Sequence, residues 1–460
     1  MSQCPSLFHR LICLVGGLSC ILASASVLAS TRPLPWHAMP VLGEARNAPR
    51  AVWSAHVVTN PVAVAVDERI HRAFVLSQGP LGPKPYPQPI GPGSVDMLDA
   101  ATGRLLRTAR VGVNPVQAAL DTSANRLYVL SQRRDVNDNA VGPGSVSVLD
   151  AATGALVRTT QVGVGVMGMA VDDRRGRVFA LTQQGGVDVL DAVTGRLLRV
   201  WRRVAVAPSA TLAVSPRAGH LFVALGETCP PATNQDDANP DCLQVYDDGT
   251  GRLLRSVPLS ETVGALGVDD LRGRVVATLD GTRSSDPAQQ VSYVALFAIA
   301  TGALVHRART DPYGSRIGAF ALSVTAGRAV VVGVASAERI GAGTGGGAGA
   351  SVVDTGSGRV LRTEAIQDQS AQGGYGYYAS VAIDAPTGHI LILTQPIVDL
   401  NGTPGGPAAL TVLDARTGRT LRTLRGQTGD VALGLDSSSQ RIFVANNRSN
   451  TVRALDAARL

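Results

Sequence analysis

Oxygen ligands at alternate positions are the first chemistry the chain offers. Asp135-Val136-Asn137-Asp138-Asn139 sets side-chain oxygens at Asp135, Asn137 and Asn139. That spacing suits Ca2+, which takes about six to eight oxygens. The stretch Gln235-Asp236-Asp237-Ala238-Asn239-Pro240-Asp241 has the same character. Against a cation, Ala140 stands where an EF-hand-like loop needs Gly, and Val146 stands where an acid would close the site. A polar hairpin tip explains both stretches better. Ca2+ is the one cofactor these residues point to.

Tyrosine is the second resource. Aromatic residues make up only 4% of the chain, so their placement carries information. Tyr375, Tyr377 and Tyr378 fall in one Gly-rich connection, Gly373–Tyr378, and Tyr86 and Tyr313 fall in others. A broad apolar ring with a polar tip suits a protein or carbohydrate partner. The competing reading has these rings packed on neighbouring loops. Enzyme signatures are missing from the sequence: it holds no G-x-S-x-G, H-E-x-x-H, C-x-x-C or Walker loop. Its histidines do not stand at metal-ligand spacing.

The amino terminus reads as an address. His9 and Arg10 precede an apolar run from Leu11 to Ala29, and Ala23-Ser24-Ala25 or Val27-Leu28-Ala29 offers a cleavage site. Residues 1–29 are therefore expected to be a secretory signal peptide. An uncleaved anchor and a lipidated Cys20 are the alternatives. Residues 30–50, with Pro33, Pro35, Pro40 and Pro49, are expected to be a linker. Export makes the protein secreted, periplasmic or cell-surface, with membrane contact only through an uncleaved amino terminus. Cys4, Cys13 and Cys20 lie in the signal, which leaves Cys229 and Cys242 as an isolated pair. In an oxidising compartment such a pair reads as a disulfide pinning one polar insertion.

The formal net charge of +7 does not mark a nucleic-acid surface. The basic residues are nearly all arginine and recur once or twice per repeat, as at Arg104, Arg107, Arg158, Arg199, Arg255, Arg362 and Arg422. Charge at fixed repeat positions makes a ring of outer-strand arginines rather than a patch.

Two short patterns organise everything after residue 50. In the first, an apolar stretch ends on Asp or Ser, and a second apolar stretch follows a tight turn. Its anchors are Asp67, Asp121, Asp172, Ser215, Asp269, Ser323, Asp384 and Asp436. Four residues later stand His71, Asn125, Gly176, Gly219, Gly273, Gly327, Gly388 and Gln440. That selection of Gly and Asn implies a backbone position with positive φ, hence a hairpin. The second pattern is V-x-V-L-D-x-x-T-G-R-L-L-R, as at Val95–Arg107, Val146–Arg158 and Val187–Arg199. Its Asp and Gly define a second hairpin.

Each unit thus has four strands, A to D. Such sheets bury their faces by stacking around an axis, with the small residues of strand A innermost. The expected fold is all-β, an eight-bladed β-propeller of four-stranded antiparallel blades over residues 51–460. Seven blades is the alternative, should Gly318–Ile366 prove irregular. The last unit lacks strand D, and the unpartnered stretch Ala51–Val58 is expected to supply it.

Arg441-Ile442-Phe443-Val444-Ala445-Asn446-Asn447-Arg448-Ser449-Asn450-Thr451-Val452-Arg453-Ala454-Leu455-Asp456 resembles the YVTN-type β-propeller repeat, with a looser copy at Asn125–Ser131. The resemblance implies an extracytoplasmic binding or surface protein, in a family commonly seven-bladed. This chain departs from it in blade number and in lacking the Asn of most B strands.

The A–B and C–D turns are uniformly short, whereas six B–C connections are long: Gln78–Gly93, Gln132–Gly144, Gly226–Asp241, Asp280–Gln290, Ser336–Gly349 and Gln395–Pro407. Both B–C and D–A connections emerge on one face, and loops on a rigid scaffold are where binding sites collect. The expected function is a non-catalytic binding or scaffold role on that face. The alternative is a propeller enzyme of lactonase or quinoprotein type, which requires polar side chains converging on the axial channel.

Overall fold

A computed structural model describes residues 49–82, 88–135, 139–183, 186–202, 210–225, 241–259, 261–280, 292–310, 316–334, 348–366, 376–397 and 405–459. Within them the strands form eight four-stranded antiparallel sheets. Blade 1 runs A (Pro61–Asp67), B (Arg72–Ser77), C (Pro92–Asp99) and D (Leu105–Val113), each strand pairing with the next. Blades 2 to 7 repeat this order. Their A strands are Pro115–Asp121, Val166–Asp172, Ala210–Ser215, Thr262–Asp269, Arg316–Ser323 and Gly376–Asp384. Blade 6 has all four strands, so the count is eight and not seven.

Blade 8 closes the ring. Its strands A, B and C are Asp430–Asp436, Arg441–Asn446 and Thr451–Asp456, and strand D is Ala51–His56 from the other end of the described chain. Ser54 pairs with Arg453, Ala55 with Val452 and His56 with Thr451. Trp53 clamps the joint: its ring lies 5.7 Å from Phe443, and its indole N–H donates to Ala100 O of blade 1 over 3.2 Å. Each strand A touches strand A of the next blade, and strand A of blade 8 touches that of blade 1, so the sheets follow a circle.

Side-chain size follows radius. Strand B is buried along almost its whole length and carries the bulky wedges Phe74, Tyr128, Phe179, Phe222 and Phe443, all essentially inaccessible to solvent. Strand A must let backbones converge on the axis. A Cβ on Gly434 would come within 2.6 Å of Val64 in blade 1, which explains a residue without one there. Strand D is outermost and largely exposed, as the pattern of Leu156–Val164 shows.

Candidate binding face

Two faces of the disc differ in how much of their chemistry is already committed. On the first face, every A–B turn holds its fourth residue at positive φ, including His71 at 52° and Gln440 at 53° where no Gly stands. Each C–D turn of the V-x-V-L-D type is locked by its Asp. In blade 1, Asp99 Oδ1 accepts from Thr102 N at 3.0 Å and from Thr102 Oγ1 at 2.8 Å. The same pair of bonds recurs at Asp150, Asp191, Asp247 and Asp414. The threonine hydroxyl and amide hold the Asp191 carboxyl below its ordinary value, since both favour the charged form. The arginine opening strand B then reaches over the same carboxylate, Arg72 to Asp99 at 3.2 Å and Arg126 to Asp150 at 3.0 Å.

The outer-strand arginines are also engaged. Arg199 donates to Gly249 O in the next blade at 2.9 Å, and Arg422 to Arg459 O at 3.0 Å. Arg107 lies against Gly154 and Arg362 against Gly418, each across the neighbouring C–D turn. The arginine ring therefore staples blades together, where the repeat pattern alone implies only solvated side chains.

The second face carries the connections of unequal length. Strand B of blade 1 ends at Ser77 and strand C begins at Pro92; in blade 2 the limits are Ser131 and Pro143, in blade 3 Thr182 and Gly186, in blade 8 Asn446 and Thr451. Two insertions are small hairpins. Leu81 bridges Pro89 in blade 1, and Arg134 bridges Ala140 in blade 2. They lift Leu81, Ile90 and Val141 into solvent; Ile90 is 69% exposed.

The roots of these loops are held by amide side chains that sequence reasoning does not single out. Gln78 Nε2 donates to Asn114 Oδ1 at 2.8 Å, and Asn114 Nδ2 donates to Gln132 O at 2.9 Å. Gln132 Oε1 accepts from Gly165 N at 3.0 Å and Val166 N at 3.2 Å in blade 3. Gln395 does the same for Gly429 N at 2.7 Å between blades 7 and 8. Blade 8 joins blade 1 through Asn450 Oδ1, which accepts from Asn60 N at 2.9 Å. The signal is present as Ser77-Gln78, Ser131-Gln132, Thr182-Gln183 and Thr394-Gln395, a Ser/Thr-Gln pair at the end of three B strands and within the longer B strand of blade 7.

Asp135 and Asn139 come together, but on each other: Asp135 Oδ1 accepts from Asn139 N at 2.9 Å and Asp135 Oδ2 from Asn139 Nδ2 at 3.1 Å. That is the bonding of a hairpin tip. Asn137, Tyr86, Tyr313, Tyr375 and Cys229 lie outside the described residues. Tyr377 and Tyr378 are not in a connection. Strand A of blade 7 begins at Gly376, and they pair with Pro396 and Gln395. Strand B of that blade runs on to Ile397 and offers them partners, and tyrosine favours a strand. Cys242 is the second residue of strand C of blade 4, Asp241–Asp247, and is buried.

On the axis, strand A presents mostly Val, Ala, Leu and Gly. Of its polar residues, Gln117 is spent on both backbone groups of Met169, at 2.8 and 3.0 Å, and Ser380 on Leu433 N at 3.1 Å. These bonds tie adjacent blades together. Among the described residues no group of three or more His, Cys, Asp or Glu is placed to hold a metal.

Fold and faces together define an eight-bladed β-propeller. No family model matches the chain, and no curated protein matches it by sequence. Solved structures do. The chain is similar to the computationally designed protein Ika8, with a TM-score of 0.56 at 16% identity over 90% of this chain and 100% of that one. It is similar to Sqt1 of Saccharomyces cerevisiae, with a TM-score of 0.57 at 11% identity over 89% and 99%. The carboxy-terminal WD40 domain of Sif2 gives 0.56 at 8% identity over 89% and 98%. At such identities the likeness is one of fold.

Proposed function

We propose that the chain is a non-catalytic binding or scaffold protein acting outside the cytoplasm, and that it engages a protein or carbohydrate partner through the face bearing the B–C and D–A connections. The observation that carries this reading is the asymmetry between faces. Every A–B turn spans the four residues between an anchor and the next strand, as from Asp67 to Arg72, whereas B–C connections range from Thr182–Gly186 to Ser77–Pro92 in the blades cited above. The fold asks for no such difference, and exposed apolar tips such as Leu81, Ile90 and Val141 are expected where a partner docks.

Residues 1–29 as signal and 30–50 as linker, a Cys229–Cys242 disulfide and a relationship to YVTN-type repeats belong to the same proposal. The enzyme alternative has less support, because the axial polar residues Gln117 and Ser380 are committed to the joints between blades. The test is a glycan array, with an extracellular-protein array beside it, probed with residues 30–460 and with the triple variant Leu81→Ser, Ile90→Ser, Val141→Ser. Specific binding by the parent, lost in the variant, supports this face. Specific binding kept in full by the variant would move the site elsewhere.

A further inference from the structure

The joint between blades 3 and 4 breaks the repeat. The second residue of the C–D turn is Ala100, Ala151, Ala192, Ile299 and Ala415 in five other blades, each donating its N–H to the A–B turn of its own blade, as Ala100 N does to His71 O and Ile299 N to Gly273 O. In blade 6 it is Thr355, whose hydroxyl donates over 2.5 Å to Asp269 Oδ2, the A–B anchor of blade 5. In blade 4 it is Asp248, which faces the blade 3 anchor Asp172 in the equivalent place. Both carboxyls are almost wholly buried, Asp172 at 0% and Asp248 at 2% exposure.

The two seams share their cation too. Arg272 Nη1 holds Asp269 Oδ2 at 3.0 Å and Val324 O at 2.7 Å. Arg175 Nη1 holds Asp172 Oδ2 at 3.2 Å and Pro216 O at 2.7 Å, and also lies 3.4 Å from Asp248 Oδ2. Arg177 sits 3.9 Å from Asp248 Oδ1 but gives its short bond, 2.8 Å, to Asp248 O. The other charged groups nearby are Asp247 and Arg255, which with Arg175 act on His220 at the start of strand B in blade 4. One guanidinium nitrogen thus spans two buried carboxyls, at a place where blade 6 supplies a neutral hydroxyl donor.

We infer that Asp172 and Asp248 share one proton, with Asp248 as the O–H donor in the role of Thr355, so that the seam between blades 3 and 4 is an acid-stabilised joint. Two like charges this close and this dry cannot both ionise freely. Burial, and then the bond to Asp172, push the Asp248 carboxyl up to about 7. The sign follows. The folded chain keeps a proton that the unfolded chain has lost above the ordinary carboxylate value. Stability is therefore greatest in acid and falls as pH rises toward neutrality, with no further loss from this pair above that. The joint stands independently of the binding face.

Full-length protein would be melted at about pH 5 and about pH 8.5, as wild type and as Asp248→Thr, the residue blade 6 uses. Wild type should lose about 2 °C or more against the variant between the two conditions. An infrared titration checks the proton itself. Wild type should show a protonated carboxyl band near pH 6 that fades by about pH 8.5, and Asp248→Thr should lack it. A melting gap that is the same at both pH values, or no protonated carboxyl near neutrality, would overturn the inference.

Discussion

Arg453 donates through Nη2 to Asp430 Oδ2 over 2.6 Å inside the closing blade, with the two side chains 8% and 1% exposed. Asp430 is otherwise satisfied by Asn446 Nδ2 at 2.8 Å and Gln427 N at 2.7 Å. The position of Arg453 in the V-x-V-L-D pattern carries Asp96, Ser147, Asp188 and Thr411 in other blades. There it bonds strand D or a neighbouring connection, as Thr108 Oγ1 does to Asp96 Oδ1 at 2.5 Å. Only blade 8, whose strand D is Ala51–His56, uses an ion pair between its C and A strands at this depth among the described residues.

Arg453→Met should leave the Asp430 carboxylate buried without its cation, at a cost of about 3–5 kcal/mol in urea unfolding. Adding Asp430→Asn should recover most of that loss. A double variant as weak as the single one would show that packing, and not charge, holds this corner.

Two positive-φ glycines of blade 3, Gly176 in the A–B turn and Gly195 in the C–D turn, separate backbone strain from crowding. Gly176 has a φ of 62° and open space where a Cβ would stand, whereas Gly195, at 70°, would press a Cβ to 2.9 Å from Val148 in blade 2. Gly176→Ala should cost about 1–2 kcal/mol from the left-handed conformation alone. Gly195→Ala should cost that plus roughly 1–3 kcal/mol of overpacking. Equal losses in urea unfolding would contradict the packing of blade 2, through Val148 of its strand C, against the C–D turn of blade 3.

Gln132→Leu should strip a buried acceptor from Gly165 N and Val166 N together. The expected loss is about 1–3 kcal/mol for each amide left unpaired. Hydrogen exchange should quicken at these two amides before it does in strand B of blade 2. Unchanged protection would remove the glutamine from the joint.

Protein secreted from an oxidising host should show Cys229 and Cys242 in one disulfide-linked peptide under non-reducing mass spectrometry. Recovery of both as alkylated free thiols would contradict the pairing.

Much of the scaffold is legible in the sequence because turns leave residue-specific marks. Positive φ selects Gly and Asn at Gly176, Gly388 and Asn125, and the Asp99–Thr102 bonds require those residue types at that spacing. Three strands from Asp430 onward and one orphan before Pro61 imply the closure. Less legible is whatever depends on neighbours in space. Nothing local to Arg107 says that it will lie on Gly154, or that Gln132 will cap a corner of blade 3. Tyr377 and Tyr378 are misplaced by sequence for a related reason. The flanking glycines read as a loop, and the partners that extend the strand, Pro396 and Gln395, come from residues that themselves read as loop. The candidate face is legible only as unequal loop length. The exposed tips at Ile90 and Val141 become apparent once their hairpins are placed.

Closure of the ring by the amino-terminal strand positions everything else, and a cross-link reads it directly. His56 and Thr451 are register partners on strands D and C of blade 8. In a chain carrying His56→Cys and Thr451→Cys, mild oxidation should join these two sites within one molecule, and the cross-linked chain should unfold at a higher urea concentration than its reduced form. Thiols at 56 and 451 that stay free in the folded protein, or that link only between molecules, would contradict the closed eight-bladed ring.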